Sequence, residues 1–121
     1  MDNPGTLSSW YHVRFDDDGI TRDVHPGNRE PWTDFVSWDK IIRICFKTAE
    51  EFYESDELYI FTSEREESYL IPMEADGALE LWKTIIDKGL FGPQLAIDLA
   101  SSSGKLACWP PPPDELDPDN S

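Results

Sequence analysis

Leu58-Tyr59-Ile60-Phe61-Thr62-Ser63-Glu64-Arg65-Glu66-Glu67-Ser68-Tyr69-Leu70-Ile71-Pro72 is the stretch whose reading decides the fold. Two runs rich in aromatic and β-branched residues flank a polar segment, the pattern of two strands joined by a turn. The turn is placed at Ser63 to Glu67, and Pro72 ends the second strand because proline has no N–H to give a ladder. Beyond it the apolar period changes from that of a strand to that of a helix. Ala78, Leu79, Trp82, Ile85, Ile86 and Leu90 fall on one helical stripe, with Asp76 as N-cap and Gly89 as stop. Gly92-Pro93 opens a second, shorter helix whose apolar face is Leu95, Ala96, Leu99 and Ala100.

The chain before this point reads as strands. Tyr11, Val13 and Phe15 alternate with Trp10, His12 and Arg14, and Asp16-Asp17-Asp18-Gly19 makes a tight turn. Ile20, Arg22 and Val24 then share one side of a returning strand. His25 to Pro31 is a loop by its punctuation. Phe35 to Trp38 is a short strand, and Asp39-Lys40 a helical turn. Arg43 to Thr48 is a central strand, with Ile42, Ile44 and Phe46 on one face and Cys45 on the other. Leu106 to Trp109 forms a last short strand. Strands first and helices last imply an α+β fold. The expectation is one antiparallel, bent sheet of about five to seven short strands followed by two C-terminal helices, an order like that of pleckstrin-homology domains.

At 121 residues the chain fits one domain. Residues 1–8 read as a disordered leader, 9–109 as the globular unit, and 110–121 as a disordered acidic tail opening on four prolines. No apolar run approaches the ~20 residues a membrane helix needs. The polar N-terminus carries no secretory pattern, so a cytoplasmic location is expected. In that setting Cys45 and Cys108 are expected as buried free thiols.

Twenty-five acidic against ten basic residues give a formal net charge of −15. Such a field repels nucleic acid and anionic membranes, and it attracts basic proteins. It also keeps a protein soluble, so acidity alone assigns no task.

Chemistry-bearing motifs are missing. No glycine-rich loop joins a strand to a helix, and Gly89-Leu90-Phe91-Gly92 reads as a helix-to-helix connector. Two cysteines and two histidines lack zinc spacing. Asp16 to Gly19 lacks the ligand alternation of a calcium loop. His12 sits on a strand's polar face and His25 before a proline. Neither has a nucleophile set beside it by spacing, so no catalytic residues, metal ligands or cofactor are expected.

The candidate binding residues are acidic. Glu50, Glu51, Glu54 and Asp56 surround Phe52 and Tyr53, a mixture suited to lysine- and arginine-rich surfaces. Glu64, Glu66 and Glu67 join that patch if the hairpins stack. The other reading of both segments is two solvated loops, with Phe52 and Tyr53 folded over the core. The expected function is a non-catalytic, acidic protein-binding domain, an immunity or inhibitor protein for a basic toxin such as a nuclease being one form. The alternative is a scaffold or regulatory module docking its partner on a sheet edge or in a sheet–helix groove. Partner identity and oligomeric state are left open.

Trp38-Asp39-Lys40-Ile41, Leu70-Ile71-Pro72 and Ala107-Cys108-Trp109-Pro110, taken together, resemble a group of small bacterial proteins of uncharacterised function. The resemblance spans Val36 to Pro110. It implies a bacterial source and a standalone domain, and it brings no catalytic residues.

Overall fold

In the computed structural model, which describes residues 7–51 and 54–110, the strands form two antiparallel sheets rather than one bent sheet. The first sheet is a meander of β1 (Tyr11–Phe15), β2 (Gly19–Val24) and β3 (Trp32–Ser37). The second contains β4 (Ile41–Lys47), β5 (Glu57–Thr62), β6 (Arg65–Pro72) and β7 (Leu106–Trp109), in the order β6-β5-β4-β7. Between β6 and β7 lie α1 (Ala78–Asp87) and α2 (Pro93–Ala100). The fold is α+β, with antiparallel strands and two helices. A last strand follows the helices and returns to pair with β4.

The first hairpin turns as Asp16 to Gly19 demands. The Asp16 carboxylate accepts the N–H groups of Asp18 at 2.9 Å and Gly19 at 3.2 Å, the local bond by which aspartate favours turns. Gly19 is needed for space, since a Cβ there would lie 2.2 Å from the Val36 carbonyl and 2.6 Å from the Phe35 ring. Strand β3 starts at Trp32, earlier than expected, and a 3-10 turn over Trp38–Lys40 leads into β4. Another 3-10 turn covers Leu7–Ser9, and Leu7 packs on the core, so the expected leader ends before Leu7. The expected acidic tail from Pro111 onward lies outside the described residues.

Inward faces of both sheets and the helices share one core, in which Ile20, Ile44, Leu58, Ile60, Ile71, Leu81, Ile85 and Phe91 are fully buried. Three expected positions differ. Ile42 is 58% exposed, because the β4–β5 register shifts between Ile41 and Arg43 and turns it outward. Leu79 is 52% exposed, because α1 buries the face of Ala78, Leu81 and Ile85. Asp76 is not the cap of α1. Its backbone is held beside β1, exchanging bonds of 2.8 Å with Val13 and 2.9 Å with Tyr11. The N-cap is Gly77, at φ 88°, where a Cβ would lie 2.1 Å from the Val13 carbonyl. Only glycine fits that backbone.

The free thiols expected at Cys45 and Cys108 are instead a disulfide. β4 and β7 place the two residues directly opposite one another in register. They are 63 positions apart in the chain, and no local pattern reports such a pairing.

The two sheets are joined by Arg22. It lies on the same side of β2 as Ile20 and Val24, and is only 7% exposed. Its Nε and Nη2 donate to the two carboxylate oxygens of Asp34, at 2.9 and 2.5 Å. Its Nη1 donates to the Leu70 carbonyl on β6 at 2.9 Å and to the Tyr11 hydroxyl at 3.2 Å. The Tyr11 hydroxyl in turn donates to Leu70 at 2.6 Å. The guanidinium lies 4.8 Å from the Trp32 ring centre and 5.1 Å from that of Tyr69. Burial by itself depresses a guanidinium, but Asp34 and Tyr11 outweigh it and raise Arg22 above its ordinary value. For Tyr11, burial is the larger influence and pushes the phenol up, against the pull of Arg22.

Candidate functional site

Six segments meet at the end of the second sheet where β4 finishes and β5 begins. There a groove of about 430 Å³ opens between sheet and helices. Its sheet side is Phe46 on β4 and Met73 after β6, and α1 contributes Leu79 and Trp82 one turn apart. Ala96, Leu99 and Ala100, on one face of α2, close the other wall. Trp82 stands between two rings, 4.4 Å from Phe46 and 4.8 Å from Phe91, centre to centre. A ring held on both sides is a rigid floor.

The groove's rim is polar, with Thr48, Asp56 and Ser102. Here the acidic segment that composition singled out meets the apolar surface. A neighbouring depression of about 320 Å³ shares Thr48 and adds Lys47, Glu54 and Glu57. The loop between β4 and β5 is fastened by its own carboxylates. Asp56 Oδ1 accepts the Ala49 N–H at 2.8 Å, and Glu54 Oε1 accepts those of Glu50 and Glu51 at 3.2 and 3.4 Å. The segment before β7 holds the base of the loop. Thr48 N–H donates to the Lys105 carbonyl at 2.8 Å, the Lys105 N–H donates to Thr48 Oγ1 at 2.8 Å, and the Gly104 N–H donates to Ala49 at 3.1 Å. Gly104 has φ 62° and lies against the Glu50 side chain, so a larger residue there is strained.

Glu50, Glu51 and Glu54 are exposed and Asp56 is half-buried. Phe52 and Tyr53 lie outside the described residues. Glu64, Glu66 and Glu67 do not join this patch, because they lie at the opposite end of β5, where Thr62 pairs with Arg65. Six residues of strand at ~3.3 Å each separate the two clusters by about 17 Å. The hairpin cluster also surrounds a cation. Arg65 donates to the carbonyls of Glu67 and Ser68 and lies 3.7 Å from the Tyr69 ring centre. Glu57, which spacing did not single out, accepts the Tyr59 hydroxyl at 2.6 Å and pushes that phenol up to about 12.

Each histidine sits beside a carboxylate, an arrangement spacing did not disclose. His12 Nδ1 is 3.0 Å from Asp76 Oδ2, and His25 Nε2 is 3.0 Å from Asp23 Oδ1. Asp23 also accepts the Thr33 hydroxyl at 3.0 Å and Arg14 at 3.3 Å. The Thr33 hydrogen bond leads in lowering its pKa, with His25 and Arg14 adding to it. These residues share the outer face of the first sheet, where His12 pairs with Asp23 and Asp23 with Thr33. Neither histidine borders the groove. Among the described residues no three of His, Cys, Asp and Glu are grouped to hold a metal ion. No helix among them is long and apolar enough to cross a membrane.

Compared with protein-family models, curated proteins and solved structures, the chain finds no match in any of the three. Its function is therefore argued from the geometry of this site.

Proposed function

We propose that the chain is a non-catalytic, acidic protein-binding domain whose partner is a basic protein. The specific form is an immunity or inhibitor protein for a basic toxin such as a nuclease. The observation that carries this reading is the adjacency of the acidic loop to the groove, through Asp56 and Thr48. Carboxylates on a loop held by its own backbone bonds are placed in advance, and lose little freedom when a partner arrives. They can occupy a basic cleft in place of phosphates.

The sheet–helix groove itself favours the second reading, a scaffold that docks its partner mainly through apolar contact. The histidine–carboxylate pairs border no part of the groove, and the proposal gives them no chemistry. A pleckstrin-homology-like arrangement and kinship to the small bacterial group belong to the proposal too. Strand β7 after α2 departs from a sheet closed by a terminal helix. The disulfide is characteristic of oxidising compartments, and it pulls against the cytoplasmic address expected from the N-terminus.

The test uses immobilised wild-type protein and the E50K/E51K/E54K variant, each exposed to lysate from the source organism at low and high salt. A basic protein held by the wild type, weakened tenfold or more by the variant and lost at high salt, supports the inhibitor reading. The same protein held equally by both at either salt removes the acidic loop from the interface and favours the scaffold. All three positions are exposed, but Glu54 also fastens the loop by accepting the Glu50 and Glu51 N–H groups, so the urea midpoint of the variant is measured beside its binding.

A further inference from the structure

We propose that the groove between the second sheet and the two helices receives an aromatic or branched aliphatic side chain carried next to a cationic one, the cation going to Asp56. This deepens the binding reading and rests on it, since it names the chemistry that the partner presents to the same site.

Volume comes first. About 430 Å³ is at the small end of ligand pockets and suits one or two side chains. Ala96 and Ala100 leave α2 without bulk where it faces Trp82, so the space is a property of the sequence. Its floor is Phe46 and Trp82, with the buried Phe91 edge-on behind Trp82, so these rings are already held and need no ordering on binding. Leu79, more than half exposed, extends the apolar surface out of the groove mouth.

Rim chemistry then selects charge. Thr48 Oγ1 is committed to Lys105, accepting its N–H at 2.8 Å and donating to its carbonyl at 3.3 Å. The Ser102 hydroxyl donates to the Asp98 carbonyl at 2.9 Å. Asp56 Oδ1 is taken by Ala49, whereas Asp56 Oδ2 has no hydrogen-bond partner among the described residues. The uncommitted polar atom at the rim is thus a carboxylate oxygen, which accepts and cannot donate. Glu54 and Glu57 border the adjoining depression and add negative field. Lys47 is also there, without an ion pair among the described residues. The groove's own lining holds Asp56 and no lysine or arginine, so a phosphate or carboxylate placed there meets a carboxylate, and an ammonium or guanidinium beside an apolar group meets both parts of the site.

Titrating the full chain with 2-phenylethylammonium and, separately, 3-phenylpropionate tests this by NMR. The two probes share a ring and differ in the sign of the charge. The amine is expected to shift the Trp82 indole N–H and the Asp56 amide with millimolar affinity, and to leave Trp10 and Trp32 unmoved. The acid is expected to bind at least tenfold more weakly. Asp56→Asn, which keeps the oxygen that caps Ala49, should erase the difference between the probes. Ala100→Phe, at an exposed position, should abolish the Trp82 shift by filling the groove. Equal shifts from both probes, or none from either at about 10 mM, overturn the proposal. Salt-sensitive capture of a basic protein alongside silent probes would remove the groove and leave the acidic loop. Amine binding with no such capture would do the reverse.

Discussion

Arg22 and the acidic loop are both charged neighbourhoods, and the protein treats them in opposite ways. Arg22 is withdrawn from water, and its hydrogen bonds end on Asp34, Tyr11 and Leu70. In the acidic loop Glu50, Glu51 and Glu54 are exposed, and the bonds that Glu54 and Asp56 accept are short-range and serve the loop itself. A buried charge must be satisfied inside the molecule or it costs several kcal/mol. An exposed charge carries no such demand, and a partner can still use it. The first neighbourhood therefore belongs to the fold, and the second is where binding is argued.

Removing Arg22 should break this contrast most sharply. Arg22→Ala leaves Asp34 without its partner, opens a gap between the Trp32 and Tyr69 rings, and strips one bond each from Leu70 and Tyr11. A loss of about 4 kcal/mol is expected, read from the urea midpoint. The double variant R22M/D34N, which removes the charge and keeps most of the volume, should cost less than R22A. If the two cost the same, neither the unpaired Asp34 nor the gap between the rings sets the cost, and the lost Arg22 bonds to Leu70 and Tyr11 do.

Strand β7 supports the other neighbourhood, because Lys105 and Gly104 hold the loop base just before it. The Cys45–Cys108 bond ties that strand to β4 and closes a span of 63 residues. C45A/C108A should therefore cost about 3 kcal/mol through the freedom regained by the unfolded chain. Hydrogen exchange should locate the loosening, with the amides of Thr48, Gly104 and Lys105 losing protection. The Arg22 clamp should stay as protected as before, relative to global unfolding. Equal loss at Thr48 and at the clamp would mean that the two ends are not separable.

Strand alternation and helix spacing carried most of the architecture, because both are local. The burial of Arg22 was visible as a position, on the same side of its strand as Ile20 and Val24, while its partners were not. Asp34, Tyr11 and Leu70 come from three different strands, and Leu70 from the other sheet. The same limit explains the cysteines, which only the return of β7 to β4 brings together. Ile42 was misplaced because one register shift inverts a side chain's face, and a shift leaves no mark in a pattern of two. Asp76 has the residue type of a cap, but its backbone is already spent on β1, so the neighbouring glycine takes that place. At the site, acidity was legible and the groove was not, because Phe46, Trp82 and Ala100 lie on three separate elements. Glu64 to Glu67 looked like part of the patch only while the direction of β5 was unknown.

The smallest expected effect tests how firmly one carboxylate of the acidic end is engaged. Glu57 accepts the Tyr59 hydroxyl, and that bond comes first among the causes that push Tyr59 up to about 12, ahead of burial and the charge of Glu57. A phenol whose folded pKa exceeds its unfolded value of 10 holds its proton more tightly in the folded state. Its contribution to stability is complete below pH 10, and is lost as pH rises toward 12. Near neutral pH, then, Glu57→Gln should change the Tyr59 titration and little else attributable to that proton. In a spectrophotometric titration, the latest phenol to ionise in the wild type should move down toward the ordinary tyrosine range in E57Q. An unmoved Tyr59 would mean that burial, the second cause, dominates. Glu57 would then be as uncommitted as Glu50 and Glu51, and would add a further free carboxylate to the surface offered to a basic partner.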